Sequence, residues 1–184
     1  MTFRPVNEPS HLYFVTATVS GWKKLFEEEA FIQIILDSME WLCENKRMEL
    51  YVFVLMPNHL HFICRPLEPH NISKLKQNFG SFTAHSILKR LRDQNRAELL
   101  SFFHQEALDA KDGSNFKIWK DIQAKNIYSK EFLLQKIEYI HNNPLQPKWQ
   151  LVENRSAWPY SSACFYDEDK EAFLPISDVR PYLV

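Results

Sequence analysis

No stretch of this sequence approaches the roughly 20 consecutive apolar residues needed to cross a bilayer, so no membrane association is expected. The opening residues, Met1 to Pro5, lack the charged and apolar regions of a secretory signal. Cysteine is scarce. Cys43, Cys64 and Cys164 are too few and too scattered for a disulfide framework or a CxxC metal knuckle. These absences point to a reducing cytoplasm. Internal repeats and low-complexity segments are also missing. So is any basic excess: the net charge is −1 and the sequence pI about 6.7. A protein that coats nucleic acid non-specifically usually carries such an excess, which argues against that class.

What is present fits a globular chain, with 45% hydrophobic and 14% aromatic residues in a length of 184. One domain over residues 1–184 is expected, with a core at about 11–143 and a C-terminal extension at about 144–184. The charges cluster. Acid collects at Glu27 to Glu29 and from Asp167 to Glu171. Base collects where Lys74, Lys76, Lys89, Arg90, Arg92 and Arg96 meet only Asp93. That group is either a local surface for a nucleic-acid backbone or a solvated helix face.

Residues His11–Val19 are rich in β-branched and aromatic types and read as a first strand. Phe31, Ile35, Met39 and Leu42 then recur at helical spacing between Glu28 and Asn45. Leu50–Leu55 is a continuous apolar run, the pattern of a central strand buried on both faces. After a turn at Met56–Asn58, His59–Arg65 forms its partner strand. Ile72, Leu75, Phe79, Phe82 and Leu88 mark a second helix, weakened at Gly80. Asp109–Asn115 is the clearest loop, and Phe116–Ile122 reads as a last strand. Ser129 is a fitting N-cap for a third helix, which must stop near Asn143 because Pro144 follows. The order β-α-β-β-α-β plus a helix implies an α+β fold. It is a ferredoxin-like split βαβ antiparallel sheet with helices on one face, followed by a C-terminal tyrosine-bearing helix and tail.

Two histidines give this frame its chemistry. Side chains alternate along a strand, so His59 and His61 share one face while Leu60, Phe62 and Cys64 take the other. Two imidazoles at i and i+2 can reach one divalent ion. They can equally be half-buried histidines without a ligand. On the third helix, Phe132, Leu133, Ile137 and Ile140 form an apolar arc. Gln135, Tyr139 and Asn143 line its edge at i, i+4 and i+8. A free phenol has a pKa near 10 and is a poor nucleophile at neutral pH. A nearby cation stabilises the phenoxide and neutralises a phosphate under attack. Spacing alone does not separate Tyr139 from Tyr128 as the residue that faces such a cation.

The run Met56 to Ile63, Met-Pro-Asn-His-Leu-His-Phe-Ile, resembles the HUH motif of the single-tyrosine transposases of bacterial insertion sequences. Tyr139 to Pro144, followed by Trp158 to Ser162, is more specifically similar to the REP-associated tyrosine transposases. Those are relatives linked to short palindromic repeats in bacterial genomes. Phe14 to Val19, with Leu25 and Phe26 behind it, is similar to the family's opening strand. The resemblance runs from about His11 to about Tyr166. Pro144 to Val152 departs from the family's usual Pro-Val-Lys-x-Gly-Leu-Val pattern.

The resemblance implies that His59 and His61 bind a metal, Mg²⁺ or Mn²⁺, and that Tyr139 is the nucleophile. It implies that Asn143 is a third ligand or orienting group, in the place where the wider family has a glutamine. The implied activity is metal-dependent nicking and joining of single-stranded DNA through a 5′-phosphotyrosine bond, acting on hairpin-forming palindromic repeats. Implied partners are single-stranded or hairpin DNA, met by a monomer or homodimer in the bacterial cytoplasm, associated with the nucleoid when acting. Lys74, Lys76, Lys89, Arg90 and Arg92 are the expected backbone contacts. Two rival readings are a DNA-hairpin binder that no longer cuts and a zinc hydrolase of small substrates. The second finds no HExxH or CxxC to complete a zinc site.

Overall fold

The structure is a computed structural model that describes residues 11–111 and 113–184. The reading of Met1 to Pro5, and Asp112 within the expected loop, lie outside the described residues. The first strand, β1, spans Tyr13–Val19 and leads through two short 3-10 turns into α1, Glu29–Glu44. Strands β2 (Met48–Met56) and β3 (His59–Pro66) form a hairpin about Pro57 and Asn58. The long helix α2, Ile72–Asp93, starts where the Asn71 side chain accepts the Lys74 amide at 2.9 Å.

Helix α3 (Ala97–Ala110) precedes β4 (Trp119–Asn126), and Ser129 caps α4 (Lys130–His141) by accepting the Phe132 amide. A six-residue helix, α5 (Ala163–Glu168), lies in the C-terminal segment. The sheet order is β2-β3-β1-β4 with every neighbour antiparallel. Strands β1 and β2 run parallel to each other but are split by β3, as the split βαβ pattern requires. The chain has an α+β fold.

Alternation along the strands gives the sheet two different faces. On one face Val15, Ala17, Phe53, Leu60, Phe62 and Cys64 join α1 and α2 in the larger apolar core. On the other, Phe14, Val52, Val54 and Ile63 meet Leu133, Ile137 and Ile140 of α4. Thus α1 and α2 cover one side, and the tyrosine-bearing helix packs on the reverse. Gly80 lies where α2 crosses β4. A side chain there would bring Cβ to 2.7 Å from Ile122 Cδ1, so close packing holds a residue that weakens the helix. Beside it, Trp119 Nε1 donates to the buried Thr83 hydroxyl at 2.9 Å.

Three expectations about elements change. The apolar run of β2 reads as a central strand, yet β2 is at the sheet edge. The C-terminal segment shields that edge. Leu55 N–H donates to Tyr160 O, Ser162 N–H to Phe53 O, Phe53 N–H to Ser162 Oγ, and Ser177 N–H to Leu50 O. Trp158 Nε1 and the Tyr166 hydroxyl take up the carbonyls of Leu55 and Tyr51. An uncovered apolar edge would invite pairing with another chain, and this cover removes the hazard. Next, α3 occupies a stretch for which no element is expected. It buries Phe103 and Ala107, and Lys111 ends it in the left-handed conformation, φ 54°. The loop therefore starts at Lys111 rather than Asp109.

Last, β4 begins at Trp119, not Phe116. Lys117 N–H is bonded to Phe103 O of α3, which holds that stretch away from β1. Among the described residues, no helix is long and apolar enough to cross a membrane.

Candidate active site

The face that carries α4 also carries the two histidines. Cross-strand pairing sets His59 beside Thr18 and His61 beside Thr16. Both imidazoles are 4% exposed and their ring centroids are 4.7 Å apart. His59 is oriented by its neighbour in the hairpin turn. Asn58 Nδ2 donates to Trp22 O at 3.1 Å, which fixes the amide so that Oδ1 meets His59 Nδ1 at 2.7 Å. An amide oxygen only accepts, so the proton of His59 sits on Nδ1 and Nε2 carries the lone pair. His61 Nδ1 pairs with Thr16 Oγ1 at 2.9 Å, and its ring stacks on Phe14. Hydrogen bonds of this kind fix the ring of a metal-ligating histidine.

Burial is the main reason that both imidazoles resist protonation. It brings His59 down to about 4, with Lys148 adding to the effect. His61 falls to about 2, through burial first, then His59, Lys136 and Lys148. Near neutral pH both rings are uncharged and able to donate a lone pair.

Helix α4 brings Tyr139 to this pair. Leu133, Ile137 and Ile140 seat the helix on the sheet, which leaves Tyr139 at the rim, 41% exposed. Its hydroxyl lies 3.4 Å from His61 Nε2, and the two rings meet edge to face. Tyr128 packs its ring on His11, beyond the start of β1. The geometry thus separates two tyrosines that spacing leaves equivalent.

Asn143 stands just past the end of α4, in a 3-10 turn that includes Pro144. It is 1% exposed and its side chain faces His59, where it favours the protonated ring. Yet Asn143 Oδ1 has no hydrogen-bond partner of adequate geometry among the described residues. A buried acceptor left without a donor costs about 1–3 kcal/mol, so this oxygen is poised for something else. Two imidazole Nε2 atoms and one amide oxygen make a donor set that fits Mn²⁺ well and Mg²⁺ less readily. Among the described residues, no group of three or more His, Cys, Asp or Glu side chains is placed to hold a metal. A third strong ligand of the kind that structural zinc prefers is therefore not supplied by those residue types.

The structure adds residues that the sequence reading does not single out. Lys136 Nζ lies 5.3 Å from the Tyr139 ring centroid and 4.9 Å from that of Phe14. Burial, followed by Lys125, lowers its pKa. Trp149 packs against His59, with Lys148 beside the indole. Lys136 could have been found one turn before Tyr139, and Thr16 and Thr18 from strand alternation. Lys148 and Trp149 carry no local signal, because the turn after α4 delivers them. The basic residues of α2 do not join the site. Lys74, Lys89, Arg90 and Arg92 are exposed on the opposite side of the sheet. Lys76 donates to Ile122 O, and Arg92 lies over Phe116.

Residues 10–112 match the family described as IS200-like transposase. That span contains both histidines and ends before Tyr139 and Asn143. No curated protein matches the sequence. Among solved structures, a REP-associated tyrosine transposase bound to a REP hairpin aligns with a TM-score of 0.64 at 16% identity, over 97% of this chain and 93% of that one. Identity that low speaks for the fold alone. A Deinococcus radiodurans protein assigned as a transposase reaches 0.43 at 15% identity, over 77% and 97% of the chains. A bacterial tRNA(His) guanylyltransferase-like protein in complex with GTP reaches 0.44 at 8%, over 77% and 67%. Those two likenesses are too weak to carry an argument.

Proposed function

The chain belongs to the IS200-like transposase family, and from that premise we propose that it nicks and rejoins single-stranded DNA through Tyr139. One observation carries this reading. The Tyr139 hydroxyl, His61 Nε2, His59 and Asn143, whose Oδ1 lacks a hydrogen-bond partner, gather where the end of α4 meets β3. A phenol alone attacks phosphate poorly, and paired histidines alone have nothing to attack with.

His59, His61 and Asn143 would hold a divalent ion, Mn²⁺ or Mg²⁺. When bound, it would polarise the scissile phosphate and favour the phenoxide. The chain's own residues do the rest. Packing of α4 on the sheet sets the height of Tyr139, and Asn58 and Thr16 hold the imidazoles in place. Lys136 puts a positive charge beside the phenol ring, which draws the phosphate toward Tyr139. Tyr139 Oη then bonds to phosphorus as the P–O3′ bond breaks. The phenol proton leaves to solvent, and the departing 3′-oxygen becomes a free hydroxyl. The 5′ end stays on the tyrosine with the phosphodiester energy conserved. Rejoining is the same displacement in reverse, with a 3′-hydroxyl as the attacker, so no nucleotide cofactor is required.

The preferred substrate is a single strand beside a hairpin. The similar fold of a transposase bound to a REP hairpin supports this, as does the near-neutral charge, which leaves little electrostatic surplus for distorting a duplex. The exposed bases on α2, Lys74, Lys89, Arg90 and Arg92, are then candidates for gripping a hairpin stem that reaches around the sheet. The test uses a hairpin-flanked single strand labelled at its 3′ end, incubated with Mn²⁺ and resolved on a denaturing protein gel. Labelled protein is the expected result. Free cut DNA without a protein adduct would replace the tyrosine mechanism with hydrolysis.

A further inference from the structure

Helix α4 covers β2, β3 and Phe14 of β1, and beyond them a stretch of β1 and β4 stays open. There a groove of about 190 Å³ is lined by Phe14, Thr16, Thr18, Trp22, Asp121 and Gln123, together with Lys120 and Lys125. Drug-sized ligands need about 300–1,000 Å³, so this space suits a smaller flat group. Register ties the groove to the histidines. Thr18 lies between His59 and Asp121, and Thr16 between His61 and Gln123. Two strand spacings, about 10 Å, therefore separate the two rows. That distance puts the groove within about one nucleotide of the histidines.

The lining has two unusual members. Trp22 is 52% exposed and adopts a left-handed backbone, φ 56°, which a bulky residue seldom does. Gly21 before it is also left-handed, φ 57°, and the Phe102 ring fills the space where a side chain would be. The carbonyl of Trp22 is held by Asn58, the residue that also orients His59. Lys120 Nζ sits 5.1 Å from the indole centroid. This is an aromatic platform with the Lys120 cation over one ring face, which leaves the other face for a stacked base. The second member is Asp121, a carboxylate in the groove of a protein whose partner is a polyanion. Gln123 Nε2 donates to Asp121 Oδ2 at 2.7 Å, which leaves Asp121 Oδ1 and Gln123 Oε1 as acceptors. A carboxylate repels phosphate but accepts hydrogen bonds from amino groups, as when Asp or Glu reads the cytosine amine.

We infer that this groove is a base-reading subsite, in which one unpaired nucleobase stacks on Trp22 and offers its exocyclic amine to Asp121. Adenine, cytosine and guanine carry that amine. Thymine presents carbonyl oxygens on both sides of its single N–H and is disfavoured. The subsite rests on the proposed single-stranded substrate and gives that reading a sequence preference.

The experiment measures binding of fluorescent single strands by anisotropy, in EDTA, to the whole chain carrying Tyr139→Phe, so that neither cleavage nor metal contributes. Oligo-dT is compared with oligo-dA and oligo-dC of the same length. Weaker binding of oligo-dT by about tenfold is expected, the scale of one good base contact. Asp121→Asn replaces an acceptor with a donor and should bring the ratio close to one. Trp22→Ala should weaken all three strands alike by about tenfold, the loss of one stacked base. Equal affinity for the three strands, or a ratio that Asp121→Asn leaves unchanged, overturns the subsite. Adduct formation by the wild-type chain is read separately on the gel. A base preference without an adduct keeps the subsite and removes the nicking reaction, and an adduct without a preference does the reverse.

Discussion

The Tyr139 hydroxyl lies 3.4 Å from Nε2 of His61, although 78 positions separate the two residues in the chain. The contact forms because α4 crosses behind the sheet and packs Ile137 and Ile140 on Val52, Val54 and Ile63. It falls within a single chain.

Tyr139→Phe removes one oxygen from a side chain at the protein surface. The fold and the affinity for single-stranded DNA should survive nearly intact, and adduct formation should vanish. Circular dichroism, anisotropy and the adduct gel check the three parts. A labelled adduct with the Phe variant would exclude Tyr139 as nucleophile and turn attention to Tyr128.

His59→Ala and His61→Ala should each abolish cleavage together with Mn²⁺ binding. Asn143→Ala should weaken both without eliminating them, because a neutral amide oxygen is the poorest of the three donors. Calorimetric titration with Mn²⁺ gives the binding side directly. Undiminished cleavage in excess EDTA would rule out a role for metal.

Asn58 touches neither metal nor substrate in this scheme, yet it sets the tautomer of His59. Asn58→Ala should reduce Mn²⁺ affinity by about 10- to 100-fold, the usual effect of removing an outer hydrogen-bond partner. Asn58→Asp, which keeps the acceptor, should restore most of it. An Ala variant that binds Mn²⁺ like the wild type would show that His59 is held by packing alone.

A strand paired along its full length in linear duplex should stay uncut where the same strand beside a hairpin is cut. In-line attack needs an exposed phosphate, and an unpaired segment supplies one at little cost. Both forms with Mn²⁺ on a denaturing gel decide the matter. Equal cutting would mean that the single-strand mechanism is wrong.

The fully buried Ser162 hydroxyl meets Phe53 N–H at 3.0 Å and His141 Nε2 at 2.9 Å. Ser162→Ala would leave both without a partner at the covered edge of β2. The expected loss of stability is about 1–3 kcal/mol in urea unfolding. A change below about 0.5 kcal/mol, within the range of an ordinary surface substitution, would show that the C-terminal cover contributes little to holding the edge.

Local periodicity in the sequence determined the α+β element pattern, the shared face of His59 and His61, and the arc that docks α4. These properties depend only on where neighbouring side chains point, and a strand or helix repeat dictates that. The same logic misplaced β2. A continuous apolar run reports burial on both faces and says nothing about which backbone lies alongside, here a second strand on one side and the C-terminal segment on the other. It also passed over the end of β4 after Ile122, because Gln123 and Lys125 face an open groove and give that stretch a polar signature. Tertiary structure alone placed Tyr139 rather than Tyr128 beside His61, brought Lys136 and Lys148 toward the histidines, and left Asn143 Oδ1 without a donor. It also set the α2 bases on the far side of the sheet from the site. Each of those outcomes depends on which face of the sheet a helix crosses, and no pattern within one segment encodes the choice of face.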